Sequence, residues 1–563
     1  MAALFDSRQV VDPARENRLD AVIVGAGMAG VRQLVELHRR GLEVLLIERG
    51  SGVGGTWHFN RYPGARTDSD AYSYGFFFDP EIAQKWTWKE HFASQEDLER
   101  YYNWIIDRFC SRDEVLLNTT VEAAHFDDAS GSWTVTTDTG RTLTARYLIL
   151  ATGMTSHPIF PPLEGKDDFH GPLVHTGLWP EEGLDLAGKR IAQIGTGSSG
   201  IQIAPFLAKE AAQLTVYQRR GHWSTPLNNR PLTDKENDDF RARFAEYFKD
   251  RQVNLAAQAF HEWETRTAPE VSEKERRQKF DYLYDEVMGL RILAENFTDA
   301  MSDGEANRMW SDYLAERIRG RVHDPAVAER LIPKDHGFGR FRPPKDTGYY
   351  EIFNEEHVDL VSMTETPVVR ITRAGIETTE GEREFDIIVC ATGFEVWLGA
   401  LRQIDIRGLN GRSLQDAWSA GPHTVLGVAT PGFPNMFFNA GAHGVGSNSP
   451  AFVEYQAPWI ADIMEHTEST GARWIDCTAE AADAWTEHVY EAAAASGPAH
   501  EGAWYVGGNV ANGVGKMLVY MGGIAQYSTM AADILDHSYR GFVFAGSVAA
   551  NPSRTAHQVT GSE

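Results

Sequence analysis

The chain predicts an α/β fold built of two dinucleotide-binding units, and three observations carry that prediction. The first is Asp20-Ala-Val-Ile-Val24, an apolar run that passes into Gly25-Ala-Gly-Met-Ala-Gly30, then a helix-like segment to about Arg40. A second run, Glu43-Val-Leu-Leu-Ile47, follows and ends at Glu48. Short runs that are apolar throughout mark parallel strands buried on both faces. The second observation is a repeat of this grammar in Lys189-Arg-Ile-Ala-Gln-Ile194, Gly195-Thr-Gly-Ser-Ser-Gly200, a helix through about Leu207, and Leu214-Thr-Val-Tyr-Gln218. The third is a pair of apolar strands ending in one tripeptide, Ala151-Thr-Gly153 and Ala391-Thr-Gly393. Complete strand–turn–helix–strand context is what a lone G-x-G-x-x-G lacks, so both units read as Rossmann-like.

At 563 residues the chain exceeds what one hydrophobic core supports, so several domains are expected. A net charge of -26 disfavours nucleic acid and anionic membranes as partners. Cys110, Cys390 and Cys477 are far apart and form no C-x-x-C, so reduced, packed thiols are expected, with no disulfide framework and no metal site. No apolar run is long enough to span a bilayer, and the polar N-terminal stretch lacks the apolar core of a signal peptide; a cytoplasmic location is expected. Oligomeric state is not set by any of these features.

Taken in order, the glycines at 25, 27 and 30 permit a tight turn and bring backbone N–H groups to a pyrophosphate, while Glu48 can accept from a ribose diol. Gly52-Val-Gly-Gly-Thr-Trp57 and Asn60-Arg-Tyr-Pro-Gly-Ala-Arg66 are too rich in Gly and Pro for regular structure, yet carry Trp57, Arg61, Tyr62 and Asp68, which suggests a ligand-facing loop. Ser94 to Phe109 reads as an amphipathic helix, followed by strands near Val115–Asp127, Trp133–Thr137 and Arg146–Leu150. The second nucleotide unit ends in Arg219 and Arg220 in place of an acid. Guanidinium groups pair with a 2'-phosphate that a carboxylate would repel, so NADPH is inferred over NADH. From about Asn228 to Ile332 the pattern turns charged and helical, an insertion placed over the active site or serving as a plain cap. Gly502-Ala-Trp504 through Gly523 is rich in Gly and Asn and reads as a mobile loop.

Between the two glycine loops lies F-x-G-x-x-x-H-x-x-x-W-P, filled by Phe169, Gly171, His175, Trp179 and Pro180. This pattern resembles the fingerprint of type I Baeyer–Villiger monooxygenases, flavin enzymes that insert oxygen beside a ketone, and the resemblance extends over nearly the whole chain. It implies FAD held by Gly25, Gly27, Gly30, Glu48, Gly55, Thr56, Trp57, Asp68 and Tyr74. It implies NADPH held by Gly195, Thr196, Gly197, Ser198, Ser199, Arg219 and Arg220, with Arg342 touching the cofactors and Trp504 closing over the nicotinamide. Arg342, before Pro343, matches the catalytic arginine, and Asp68 is the carboxylate expected to aim it. The family often has Lys just before that arginine; here it is Phe341, so Arg340 or Arg220 is expected to compensate. His58 stands where Tyr is commoner, and His58, Phe437 and Phe438 are assigned to the substrate pocket, among a wider apolar set of Trp57, Phe76, Phe77, Phe78 and Trp397.

The implied domain map is FAD-binding 1–155 and 386–548, NADP-binding 156–227 and 333–385, a helical insertion 228–332 in the NADP-binding domain, and a flexible tail 549–563. The implied reaction takes a ketone and dioxygen to an ester or lactone through a peroxyflavin and a tetrahedral adduct, with His175 and Trp179 orienting the domains. Two other readings stand beside it: an N- or S-oxygenating flavin monooxygenase, and a non-catalytic dinucleotide-binding sensor.

Overall fold

The apolar runs of the first unit become the strands Leu19–Val24 and Val44–Ile47, parallel and joined by the helix Met28–Arg39. Those of the second become Arg190–Ile194 and Gln213–Gln218 around the helix Ser198–Glu210. In this computed structural model, residues 19–254, 257, 259, 263–302, 304–446, 448–495, 502–510, 513 and 515–547 are described. The polar N-terminal stretch up to residue 18, the expected tail 549–563, and positions 511, 512 and 514 of the expected loop lie outside the described residues. Among the described residues no helix is long and apolar enough to cross a membrane.

The two units close alike. Gly25 N–H donates to Ile47 O at 2.8 Å and Gly195 N–H to Tyr217 O at 3.0 Å. Both glycines sit at φ near +100°, +104° and +102°, where a side chain would be strained. The paired Ala-Thr-Gly segments perform one task in each unit: Ala151 N–H donates to Val24 O and Ala391 N–H to Ile194 O.

The first sheet runs in the order 405–407, 121–127, 132–137, 142–150, 19–24, 44–47 and 115–116, with Met436–Phe438 added to the inner half of Thr142–Leu150. The second is all parallel, in the order 358–362, 213–218, 190–194, 387–390 and 173–175. Ile387–Cys390 is thus an interior strand of the second sheet. The chain recrosses to the first domain after Cys390, through Ala391-Thr-Gly393, and not at the expected boundary of 386.

The insertion is helical as expected but divides between the two cores. Asp234–Ala242 and Phe244–Val253 pack on the first domain, where Phe240 stacks on Tyr72 at 4.3 Å and Phe244 on Phe77 at 4.6 Å between ring centroids. Glu273–Asp285 and Glu305–Arg321 pack on the second, through Phe280, Trp310 and Tyr313. Assigning all of 228–332 to the NADP-binding domain is therefore corrected. The first pair of helices carries its aromatic residues, and a fully buried Arg251, toward the other core.

Candidate active site

The first nucleotide loop is braced from beneath. Glu48, buried, accepts from Ala26 N–H at 2.7 Å and from Gly50 N–H at 2.8 Å, which fixes an acid at the end of the second strand against the glycine turn. The loop after it is less irregular than expected, since Thr56–Phe59 forms one helical turn. That turn starts at Gly55, whose backbone abuts Gly27: a Cβ there would lie 2.6 Å from Gly27 Cα. Two backbone segments meet with no side chain between them, a cradle suited to a pyrophosphate taken up by N–H groups. Thr56 and Trp57 follow directly. Trp57 Nε1–H donates to the Tyr74 hydroxyl at 3.2 Å.

The second nucleotide loop ends beneath two arginines. Thr196 Oγ1 donates to Arg220 O at 3.1 Å, tying the turn to the end of Gln213–Gln218, while Ser198 and Ser199 open the helix just beyond. Arg219 lies at the surface, and partial loss of solvent around its guanidinium together with the neighbouring Arg220 charge lowers its pKa. Arg220 lies 4.8 Å over the Phe341 ring, and its Nη1 is buried with no hydrogen-bond acceptor. Asp335 Oδ2 lies 4.0 Å from that nitrogen. Two adjacent guanidiniums with unspent donors fit a dianionic phosphate. Phe341, wedged between His222 and His336 at 5.7 and 4.8 Å, is the platform that holds Arg220 there.

Between the two loops lies an ion pair that joins the domains. Arg342 Nη2 donates to Asp68 Oδ1 at 2.7 Å across 274 residues of sequence. Burial pulls the Arg342 pKa down, but the Asp68 charge and hydrogen bond outweigh it and leave the pKa raised. The segment that presents Arg342 is anchored by Phe338, fully buried and edge-on to Trp310 at 5.9 Å. Burial lifts the pKa of the Tyr74 hydroxyl; the Asp68 charge adds to that rise, while the Trp57 hydrogen bond and Arg342 oppose it.

The linker holds the frame. His175, fully buried between Phe160 and Phe394 at 5.4 and 5.3 Å, accepts from Gly177 N–H on Nδ1 at 2.9 Å. Burial pulls its pKa to about 4, so the ring is neutral and fastens a turn. Trp179 is buried in the second core and Phe169 packs against the second sheet. Gly171 has no room for a side chain, because a Cβ would meet Asp386 O at 2.2 Å. Just after Pro180, Glu181 reaches back to the first domain, bonded to Ser51 and 3.4 Å from Arg61. The segment 502–510 touches both domains. Trp504 lies 6.1 Å from Trp397, the Tyr505 hydroxyl donates to Arg340 O, and Asn509 Nδ2 donates to Phe394 O at 2.8 Å.

Known proteins resemble this chain over nearly its whole length. The family model for pyridine nucleotide-disulphide oxidoreductases matches residues 22–283. A 2-oxo-Δ3-4,5,5-trimethylcyclopentenylacetyl-CoA monooxygenase of Pseudomonas putida is 38% identical over 94% of this chain and 99% of the relative. A methyl acetate-forming acetone monooxygenase of Gordonia sp. (strain TY-5) is 36% identical, over 93% of this chain and 98% of its own. The chain belongs to the Baeyer–Villiger monooxygenases. A phenazine N-monooxygenase of Lysobacter antibioticus is also 36% identical, over 94% and 96% of the two chains. Among solved structures, OTEMO in complex with FAD and NADP matches with a TM-score of 0.88 at 37% identity, covering 94% of this chain and 99% of that one.

Within this Baeyer–Villiger monooxygenase the expected pocket assignments need correction. Phe437 and Phe438 are buried in a strand paired with Thr142–Leu150, packed on Tyr147 and Trp418, so they are sheet core. His58 is buried in a polar cluster, 2.7 Å from Glu99 Oε1, 2.9 Å from Arg61 Nη2 and 3.1 Å from Ser51 Oγ, and presents no apolar face to a ketone. Phe76, Phe77, Trp57 and Trp397 are buried in the core of the first domain as well. Sequence reading missed Lys345, and it placed Tyr62 on a ligand-facing loop without its contact to the second domain. Lys345 is buried beside the ion pair, and the Tyr62 hydroxyl donates to Gln202 Oε1 of the second domain at 2.7 Å.

Proposed function

We propose that this chain converts a ketone, dioxygen, NADPH and a proton to an ester or lactone, water and NADP⁺, with FAD as its flavin and Arg342 and Asp68 as its catalytic pair. The observation that carries the reading is the 2.7 Å contact between Arg342 and Asp68. FAD, which the turn of Gly25, Gly27 and Gly30 with Gly55 would hold, would supply the oxygen-activating chemistry for the carbonyl. Arg342 places a permanent cation beside the oxygen that gains charge, since a guanidinium keeps its proton at working pH. Asp68 aims that cation. The buried His175 turn and the 502–510 segment keep the two domains registered and water out of the cleft. Arg219 and Arg220 hold the 2'-phosphate.

N-oxygenation is a second reading, favoured by the identity to the phenazine N-monooxygenase. Purified, FAD-reconstituted protein is to be supplied with NADPH and offered cyclic ketones, linear ketones, an amine and a thioether. The expected outcome is ketone-dependent NADPH oxidation and a product one oxygen heavier, with the ester carbonyl in its infrared spectrum. Oxygenation confined to the amine would favour the second reading; a colourless protein that cannot take up FAD would end both.

A further inference from the structure

Behind the ion pair lies another basic group. Lys345 stands three residues beyond Arg342, in the short strand Lys345–Asp346 that pairs in parallel with Thr225–Pro226. The residue is only 2% exposed, and its Nζ donates to Thr225 Oγ1 at 2.8 Å. An ammonium carries three donors, and burying them without matching acceptors is costly. The adjacent Asp346 is already engaged: Arg321 holds it at 2.7 Å and Gly348 N–H donates to it at 3.2 Å.

The charged groups facing Lys345 are Asp68 from the first domain and Arg342 and Asp346 from its own segment, with Arg321 of helix Glu305–Arg321 behind Asp346. Helix Ser198–Glu210 also packs on this strand, but its charged residues, Lys209 and Glu210, are exposed in its last turn. Burial pulls the Lys345 pKa to about 7; Asp68 and Asp346 resist that fall and Arg342 adds to it.

We propose that Lys345 is a positioning residue for the Arg342–Asp68 pair. Neutral, it leaves Asp68 to Arg342; protonated, it competes for Asp68 and repels the guanidinium, so oxygen insertion is gated across the neutral pH range. The proposal rests on Arg342 and Asp68 being the catalytic pair.

Two measurements on the holoenzyme, with Lys345→Met and the polar Lys345→Gln, test it. The first is melting temperature against pH. A lysine with a folded pKa of about 7 and an unfolded value of 10.5 carries its full burial cost below pH 7, and that cost fades as pH rises toward 10.5. The melting-temperature advantage of either variant over wild type is expected to shrink steadily from about pH 7 to about pH 10; a constant difference overturns the proposal. The second is the fraction of NADPH oxidation that yields ester. The neutral fraction of such a lysine falls about tenfold between pH 8 and pH 6. Wild-type ester yield is expected to fall severalfold over that interval, with hydrogen peroxide rising. Both variants are expected to lose that acid limb while flavin reduction by NADPH keeps the wild-type rate. An unchanged acid limb in both variants overturns the gating. Wild type that makes no ester at any pH would instead unseat the catalytic reading, and the melting series alone then decides whether Lys345 titrates.

Discussion

A guanidinium partly removed from water keeps its geometry only if an anion answers it, and at Arg342 the answer comes from the opposite domain. Replacing Arg342 by Ala removes the cation while leaving both glycine loops intact. Loss of one donor aimed at developing negative charge costs about 3–4 kcal/mol in the barrier. Arg342→Ala is therefore expected to release hydrogen peroxide instead of ester, with stopped-flow flavin reduction preserved; ester at the wild-type yield would refute the role. Arg220 invites a second substitution. Because Phe341 supports its guanidinium over the second loop, Arg220→Ala is expected to raise KM for NADPH by about tenfold or more while leaving KM for NADH nearly unchanged, one lost charge-assisted contact being worth about 1.5–3 kcal/mol. Steady-state kinetics with both coenzymes checks it, and equal losses with both would point to a structural fault. Arg342 was singled out by the resemblance, which matches it before Pro343 to the family's catalytic arginine, and Asp68 as the carboxylate expected to aim it; the contact between them needed the fold. Lys345 was not legible, since Lys-Asp before Thr-Gly reads as a solvated turn, and its burial comes from the distant Thr225. Phe437 and Phe438 misled for the opposite reason: apolar residues beside a glycine-rich segment are compatible with a pocket wall or a strand, and only pairing with Leu148–Leu150 decides.

At the scale of elements, the same physics separates what could be read from what could not. Strands such as Ala21–Val24 declare themselves through unbroken apolar runs, and helix Gln95–Phe109 through its Ser94 cap, whose Oγ accepts from Asp97 N–H at 3.3 Å. The insertion gave its helices away but not its allegiance. Which core a charged helix serves depends on a few side chains, and here Arg251 decides it. That fully buried residue donates to Ser73 O at 3.0 Å and Gly75 O at 2.8 Å and pairs with Glu454 of helix Ser449–Ser469. Glu454 also accepts from Phe78 N–H at 2.8 Å. Glu454→Ala leaves a buried cation and backbone donors unanswered, which typically costs about 3–5 kcal/mol. A large fall in melting temperature is expected, with partial recovery in the double variant Arg251→Met/Glu454→Leu, where apolar side chains replace both charges. No recovery in the double variant would mean that the pair is needed for more than charge balance.

At the scale of the whole molecule, histidines that burial keeps uncharged set the response to pH. Burial pulls His175, in the linker, His222, beneath the second loop, and His443, beside the first sheet, from 6.5 to about 4. Unfolded, each takes a proton near pH 6.5; folded, each refuses it until about pH 4. Their stability contribution is thus complete above pH 6.5 and is lost as pH falls toward 4. Asp476 acts in the other direction. Burial raises its carboxyl to about 7, so its contribution is complete below the usual carboxylate range and is lost as pH rises through 7. It offsets one histidine. The remaining two give a slope of roughly 3 kcal/mol per pH unit within the window, at about 1.4 kcal/mol per group. The net charge of -26 does little to counter this, because it arises from 79 Asp and Glu, most of which keep their charge until pH falls below about 4.5. The holoenzyme's melting temperature is therefore expected to fall steeply from pH 6.5 to 4.5. His443→Leu should make the fall shallower by about one group's share, because an apolar side chain there has no proton to take up on unfolding. A melting temperature that stays level over this interval would show that these rings are not held neutral, and the account of the linker as a fixed, uncharged fastening would fail with it.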